Sequence, residues 1–410
     1  AGETFARAAE RADVVLTSYG TALRDARVLC AAEWDAVTLD EAQYVKNPEA
    51  KLSRFVRSLK GRHRIALTGT PVENHLADLL SVFSFINPEL MAASARAGRP
   101  PERLLPLIRP FLLRRMKTDD NIAPGLPEKI EHVVYCGMTR RQTELYEAAL
   151  ARLKSQLAGA GGMKRRGVIL SAITKLKQIC NAPEHALREK ELHPGSSGKL
   201  MRLEALLRDM LDKDPGAACL IFTQYAAMAS LLAPHLERTL GCGVGLMTGA
   251  TPRAEREALV ARFQDENGGL KILVLSLKTG GFGLNLTRAN RIVHYDRWWN
   301  PAVEKQAADR SHRIGQTRTV EVWKLVAKGT LEESIGILLK EKEKLAEFAV
   351  GGGDAWLTEL DDERLRDLLR LRSAELAGAD GAGPLGSDGS DDAAAGTRRR
   401  RKSWETRGWQ

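Results

Sequence analysis

Apolar and polar positions alternate with different periods along the 410 residues. Near the start, ADVVLTSYG (12–20), WDAVTLDEAQ (34–43) and HRIALTGTP (63–71) are short apolar runs that predict strands. Between and after them, AKLSRFVRSLK (50–60) and HLADLLSVFSFI (75–86) place apolar residues every three or four positions and predict helices. Strand, helix, strand, helix is the order of a parallel α/β sheet. Residues 87–200 read differently. Pro-rich GRPPERLLPLIRP and Gly-rich AGAGGMKRRG interrupt helical segments at 139–158 and 168–181. Then the alternation restarts. A Ser cap opens a helix over 196–213, and runs at 217–225, 244–249, 271–278, 289–296 and 320–329 predict strands. A long closing helix is expected over 331–350 and an amphipathic one over 362–376.

The fold class is therefore α/β, with parallel sheets and flanking helices in two units joined by helical protrusions. The boundaries read as 1–117 for the first unit, 118–198 for the helical linker and 199–350 for the second unit. A C-terminal helical stretch covers 351–376. Residues 377–410 are rich in Gly, Ala, Ser and Asp before a basic cluster, and are expected to remain disordered.

Composition adds three constraints. No run of 18 apolar residues exists, so no transmembrane helix or membrane partner is expected, and no signal peptide is visible. The five cysteines form no C-x-x-C pair, which favours reduced thiols and a cytoplasmic protein over a zinc site. Net charge is +10. From Ser373 onward six basic and six acidic residues cancel, so the body carries the excess. A basic body is compatible with nucleic acid without requiring it.

Four blocks carry candidate chemistry. Asp40-Glu41 ends an apolar run; paired carboxylates there suit a metal and an attacking water, although a solvated Asp-Glu pair is an ordinary alternative. LTGTP (67–71) sits where open α/β folds bind ligands, or is a plain Gly-Pro turn. SLKTGGFGLNLT (276–287) is a Gly-rich turn after a strand. In DRWWNPAVEKQAADRSHRIGQT (296–317), Gln306, Arg310 and Arg313 fall at i, i+4 and i+7 and share one face if the segment is helical. Guanidinium forks suit a phosphate chain.

In this order the blocks resemble the Swi/Snf-type ATPases, the chromatin-remodeller-like branch of helicase superfamily two. LDEAQ is similar to the family's DEAD/DEAH-equivalent box and LTGTP to its motif III. LIFTQY (220–225), SLKTGGFGLNLTRAN and DRWWNPAVEKQAADRSHRIGQ are similar to motifs IV, V and VI. VVLTSYG (14–20), FLLRRMK (111–117), LPEK (126–129) and KQICNAPE (177–184) match as well, so the resemblance spans residues 12–350.

That resemblance implies two RecA-like lobes, ATP and Mg²⁺ in the cleft between them, and movement along duplex DNA without sequence preference. Asp40 would hold Mg²⁺ through water, and Glu41 would orient the hydrolytic water. Arg310 and Arg313 would be arginine fingers. Gln43, Thr68, Gly69, Thr70, Gly283, Asn285, Gln306 and Gln316 would lie near the nucleotide. Thr17, Ser18, Thr248, Lys278 and Thr279 would meet DNA phosphates. A cytoplasmic, nucleoid-associated protein is expected.

The family's phosphate loop is the departure. A G-x-x-x-x-G-K-[ST] loop built on Gly198-Lys199, the sole Gly-Lys, would need Gly at 193 and Ser or Thr at 200. His193 and Leu200 stand there instead, and the pair resembles the S-G-K-L helix start of lobe two. The first lobe is thus expected to be incomplete, as a piece of a longer protein or as a degenerate product. The alternative function is a non-catalytic DNA- or partner-binding module with a dead nucleotide cleft.

Overall fold

The computed structural model describes residues 5, 7–9, 11–69, 76–98, 101–113, 115, 125–158, 161–214, 216–276, 284–298, 301–337, 365 and 368–370. Thr70, Lys278, Thr279 and Gly283 lie outside them, as do residues 377–410 and most of 338–376.

In the first unit β1 (Glu33–Leu39) and β2 (Lys60–Ala66) pair in parallel, with Leu39 opposite Ala66. Helix α1 (Lys51–Ser58) connects them and α2 (Leu76–Ile86) follows. Phe55 and Val56 from α1, Val82 and Phe85 from α2, and Leu39 and Val45 make the core. The strand expected over 12–20 does not form. Residues 14–18 join no ladder, Val14 and Leu16 are 72% and 91% exposed, and a short helix begins at Tyr19 with Ser18 as its cap. An apolar run becomes a strand only where a neighbouring backbone accepts its hydrogen bonds. Among the described residues β1 and β2 pair only with each other.

The second unit is a six-stranded sheet in the order β3-β8-β7-β4-β6-β5, every pair parallel. Its elements in chain order are β3 (Lys129–Cys136), α3 (Arg140–Leu157), α4 (Gly162–Asn181), α5 (Gly198–Lys213) and β4 (Cys219–Thr223). There follow α6 (Ala226–Leu240), β5 (Gly243–Met247), α7 (Arg253–Gln264), β6 (Leu270–Ser276), β7 (Arg291–His294), α8 (Pro301–Ala308) and β8 (Val320–Ala327). β4 and β6 are buried on both faces and, apart from Lys271, read as near-continuous apolar runs, as interior parallel strands do. Cys219 and Ile221 face α5 and α6, whereas Leu220 and Phe222 face the side covered by Phe263, Ala307 and Ala308.

β3 was not visible in the sequence pattern. Residues 118–198 read as helical, yet Lys129–Cys136 pairs along its whole length with β8 and closes one edge of the second sheet. α3 and α4 then form a helical hairpin packed on this unit through Tyr146, Leu153, Ile169, Ile173 and Leu176. Residues 331–337 are helical, and Leu331, Ile335, Leu365, Leu368 and Leu369 complete that core. The Tyr146 hydroxyl donates to the Leu369 carbonyl at 3.1 Å.

Gly198-Lys199 is a structural joint. A Cβ at residue 198 would lie 1.7 Å from the Gly137 carbonyl oxygen, so only glycine fits this approach. The Lys199 ammonium is buried, 2.7 Å from Glu332 and 3.3 Å from Asn181 Oδ1. The pair ties the start of α5 to the helix that follows β8.

Two outcomes are expected. Lys199→Met leaves the buried Glu332 carboxylate without its counter-charge, still accepting from Ala327 N, and should cost about 3–5 kcal/mol in urea unfolding. Arg140→Ala removes an exposed partner of Glu144 and should leave the midpoint unmoved. A protease site inserted between α3 and α4, once cut, should give two bands under denaturing conditions and one peak in native gel filtration, because β3 stays laddered to β8. Separation of the pieces would show that β3 does not anchor the hairpin.

Candidate active site

The first unit brings its chemistry to the carboxyl ends of two parallel strands. After β1, Leu67 N donates to Leu39 O at 2.8 Å and Ala42 N donates to Leu67 O at 2.9 Å, so the turns after β1 and β2 are stitched together. Between them Glu41 takes a left-handed backbone, φ 49° and ψ 53°. A non-glycine residue holds that conformation at about 1–2 kcal/mol. Asp40 is exposed, and its Oδ1 accepts from Glu41 N at 2.9 Å. The strained turn sets the Asp40 carboxylate toward solvent and the Glu41 carboxylate toward the second unit.

Both oxygens of Glu41 are held by amides. Gln43 Nε2 donates to Oε2 at 2.7 Å, and Thr68 Oγ1 in turn donates to Gln43 Oε1 at 2.8 Å. Across the cleft, Gln306 Nε2 on α8 donates to Glu41 Oε1 at 2.8 Å. Gln43, Thr68 and Gln306, all expected near one ligand, are thus joined through one carboxylate. Gly69 is exposed beside them with open space at its Cα.

Arg310 is 3% exposed, and its Nε has no hydrogen-bond partner among the described residues. Burial lowers its pKa first and the neighbouring Arg313 next, while Glu41 and Asp309 oppose them. An orphaned, buried guanidinium nitrogen beside a second arginine suits an incoming anion. Arg313 is half-buried, and its Nε donates to Asp309 O at 2.7 Å.

The shared helical face expected for Gln306, Arg310 and Arg313 does not form. α8 stops at Ala308, and both arginines stand on turns. The chain leaves the helix because Arg310 O accepts from Leu286 N at 3.0 Å and Ser311 Oγ bonds to Ala289 O. These contacts tie the turn to the loop after β6. Gln316, expected at the nucleotide, is spent within the fold. Its amide donates to Thr287 O at 2.8 Å and Ala289 O at 3.0 Å, and its carbonyl accepts from Thr317 N and Arg318 N. Asn285 is exposed in the same loop.

The described candidates for DNA contact lie on other edges. Thr17 and Ser18 are exposed, and Ser18 Oγ accepts from Thr21 N at 3.2 Å. Thr248 follows β5, and its Oγ1 accepts from Ala250 N at 3.3 Å.

Two features escaped the sequence reading. The Tyr19 hydroxyl donates to the Asp40 carbonyl at 2.7 Å, and burial, then the charges of Asp40 and Glu41, push its pKa up to about 12. Asp296, fully buried at the end of β7, accepts from Asn181 Nδ2 at 2.9 Å, Thr223 Oγ1 at 2.5 Å and Gln224 N at 2.9 Å. A buried aspartate after a strand was the one available signal for this clasp. It fixes the segment that leads into α8.

Known proteins resemble this chain in sequence and fold. Residues 3–185 match the SNF2-related domain family and residues 199–315 the helicase conserved C-terminal domain. YwqA of Bacillus subtilis, named as an ATP-dependent helicase/translocase, is 43% identical over 90% of this chain and 41% of its own length. The mouse SWI/SNF-related matrix-associated actin-dependent regulator of chromatin subfamily A member 1 is 32% identical over 87% of this chain and 36% of its own. The chain therefore spans about two fifths of these relatives. The Sulfolobus solfataricus SWI2/SNF2 ATPase core, solved in complex with dsDNA, aligns with a TM-score of 0.54 and 41% identity, covering 88% of this chain and 77% of that one. The fold of two RecA-like parallel-sheet lobes is what that core shares with this molecule, and the chain belongs to the SNF2-related, Swi/Snf-type branch of the superfamily two helicase-like ATPases.

Proposed function

We propose that this chain is motor machinery of an ATP-dependent duplex-DNA translocase that reads no base sequence. The observation that carries the reading is the Gln306–Glu41 hydrogen bond across the cleft, with the buried Arg310 alongside. Bound ATP with Mg²⁺ would supply the triphosphate and the metal that offsets its charge. Asp40, exposed at the strand end, would hold the metal through water. Glu41 would orient the attacking water. Arg310 and Arg313 would offset negative charge on the transferring group, a role worth ~10³–10⁵ in rate. Thr17, Ser18, Thr248, Lys278 and Thr279 would track DNA phosphates, which position a protein without specifying sequence. The site of action would be the nucleoid, in the cytoplasm.

A second reading has its own observation. The 410 residues contain no G-K-[ST] block, and Lys199 is locked to Glu332. Hydrolysis needs the terminal phosphates held by such a loop and its lysine. We therefore expect residues 1–410 alone to bind duplex DNA weakly and not to turn over ATP. On that basis a binding module with a dead cleft remains the competing function.

An ATPase assay on residues 1–410, with and without duplex DNA, tests the first point against a Glu41→Gln control. DNA-stimulated turnover absent from the control would mean that another segment supplies the phosphate site. With a G-K-[ST]-bearing segment joined ahead of residue 12, Glu41→Gln should abolish hydrolysis and spare ATP binding. Arg313→Ala should lower turnover far more than DNA affinity. A loss under tenfold in either variant sinks the assigned roles, and no turnover at all in the joined protein favours the binding module.

A further inference from the structure

Charge along the α3–α4 hairpin is distributed unevenly. At its base the cations are matched: Arg140 meets Glu144 at 2.9 Å, and Arg141 meets Glu189 at 2.8 Å and Glu184 at 3.7 Å. Beyond Glu147 no Asp or Glu occurs until Glu184, while Arg152, Lys154, Lys164, Arg165, Arg166, Lys175 and Lys177 all fall in between. Lys177 is buried and donates to Arg297 O, so it belongs to the core. Arg152, Lys154, Lys164 and Arg166 are exposed around the outer half of the hairpin. On its flank Arg152, Lys175 and Arg188 stand close enough that burial first, then Arg188 and Arg152, lower the pKa of Lys175. Like charges gathered on one surface repel one another, and a polyanion bound there relieves that repulsion.

We propose that the outer half of the α3–α4 hairpin is a second contact surface for the duplex-DNA backbone, separate from the cleft-facing edges. This rests on the duplex-DNA reading and deepens it. From Arg166 to Lys175 a helix rises about 14 Å. Over that length a duplex presents about eight phosphate charges. Gln156 and Ser171, exposed among the cations, are side chains of the sort that contact phosphate oxygens. The hairpin is fixed to the second lobe by its buried core, so a phosphate held there moves with Arg310 and Arg313 rather than with Glu41. An acidic protein segment would also be drawn to such a surface. A duplex, with one phosphate charge per about 1.7 Å, matches its charge density better.

The test is anisotropy with a fluorescent 30-base-pair duplex on residues 1–410 between 50 and 200 mM KCl. The substituted protein carries Arg152→Gln, Lys154→Gln, Lys164→Gln and Arg166→Gln, and Arg140→Gln serves as the base-end control. The four exposed substitutions should leave the thermal midpoint unchanged. They should weaken binding at 50 mM KCl by at least about tenfold and make the slope of log K against log salt less negative by about 2–3.5, near 0.9 per lost phosphate. The control should match the parent. If the parent binds no duplex, the duplex-DNA reading itself falls. If it binds and the fourfold variant matches it in affinity and slope, the hairpin surface alone is overturned. Unchanged duplex binding with weakened binding of poly-glutamate would assign the surface to an acidic protein and would overturn it too.

Discussion

The site depends on a carboxylate that is held without being neutralised. Glu41 accepts one amide hydrogen bond from its own lobe, through Gln43, and one from the other, through Gln306. An amide donor fixes direction while leaving the charge on the oxygens, so the group stays able to polarise a water. A direct ion pair with Arg310 would have used that charge. Hydrogen bonds to charged groups are worth about 1.5–3 kcal/mol net, or an equilibrium factor of roughly 10–150. That is enough to favour the observed contact and too little to lock it.

Everything around this bond works to put two side chains from separate sheets within reach. On the second lobe, Asp296 gathers Asn181, Thr223 and Gln224, and Glu304 gathers Arg297 at 3.0 Å and Trp298 N at 2.8 Å. These fix the approach to α8. Gln316, Ser311 and Leu286 fix its exit. Buried polar groups are as a rule hydrogen-bonded, so the segment has few alternative paths and Gln306 and Arg310 inherit its position. On the first lobe the stitch between the Leu39 and Leu67 backbones does the same for Glu41.

How much of this could be read beforehand follows from where each residue is buried. CLIFT and LKILVLS are covered on both faces, so apart from Lys271 their sequences are near-continuous apolar runs. KIEHVVYC is an edge strand with Ile130, Val133 and Tyr135 exposed, and between Pro-rich and Gly-rich stretches its pattern is lost. Residues 12–20 failed in the opposite way, apolar enough for a strand but without a ladder. Site chemistry was more legible than site geometry. Phosphate and water chemistry need carboxylates, amides and guanidinium groups, and those stood out. Their mutual placement was set by main-chain bonds such as Leu286 N to Arg310 O, which no side-chain pattern announces. The same holds for Tyr19, whose role is a bond to a carbonyl.

The two halves of the site rest on unequal foundations. Arg310 and Arg313 are carried by a six-stranded sheet with helices on both faces. Asp40 and Glu41 are carried, among the described residues, by two strands, and Ile65 and Leu67 of that region stay 46% and 50% exposed. A two-stranded sheet is marginal unless packed against something else. Glu41 also holds a backbone conformation that favours release. The Tyr19 hydroxyl is the restraint best placed to oppose that release, because it grips the Asp40 carbonyl one peptide before the strained residue and sits next to Ser18 on the exposed edge.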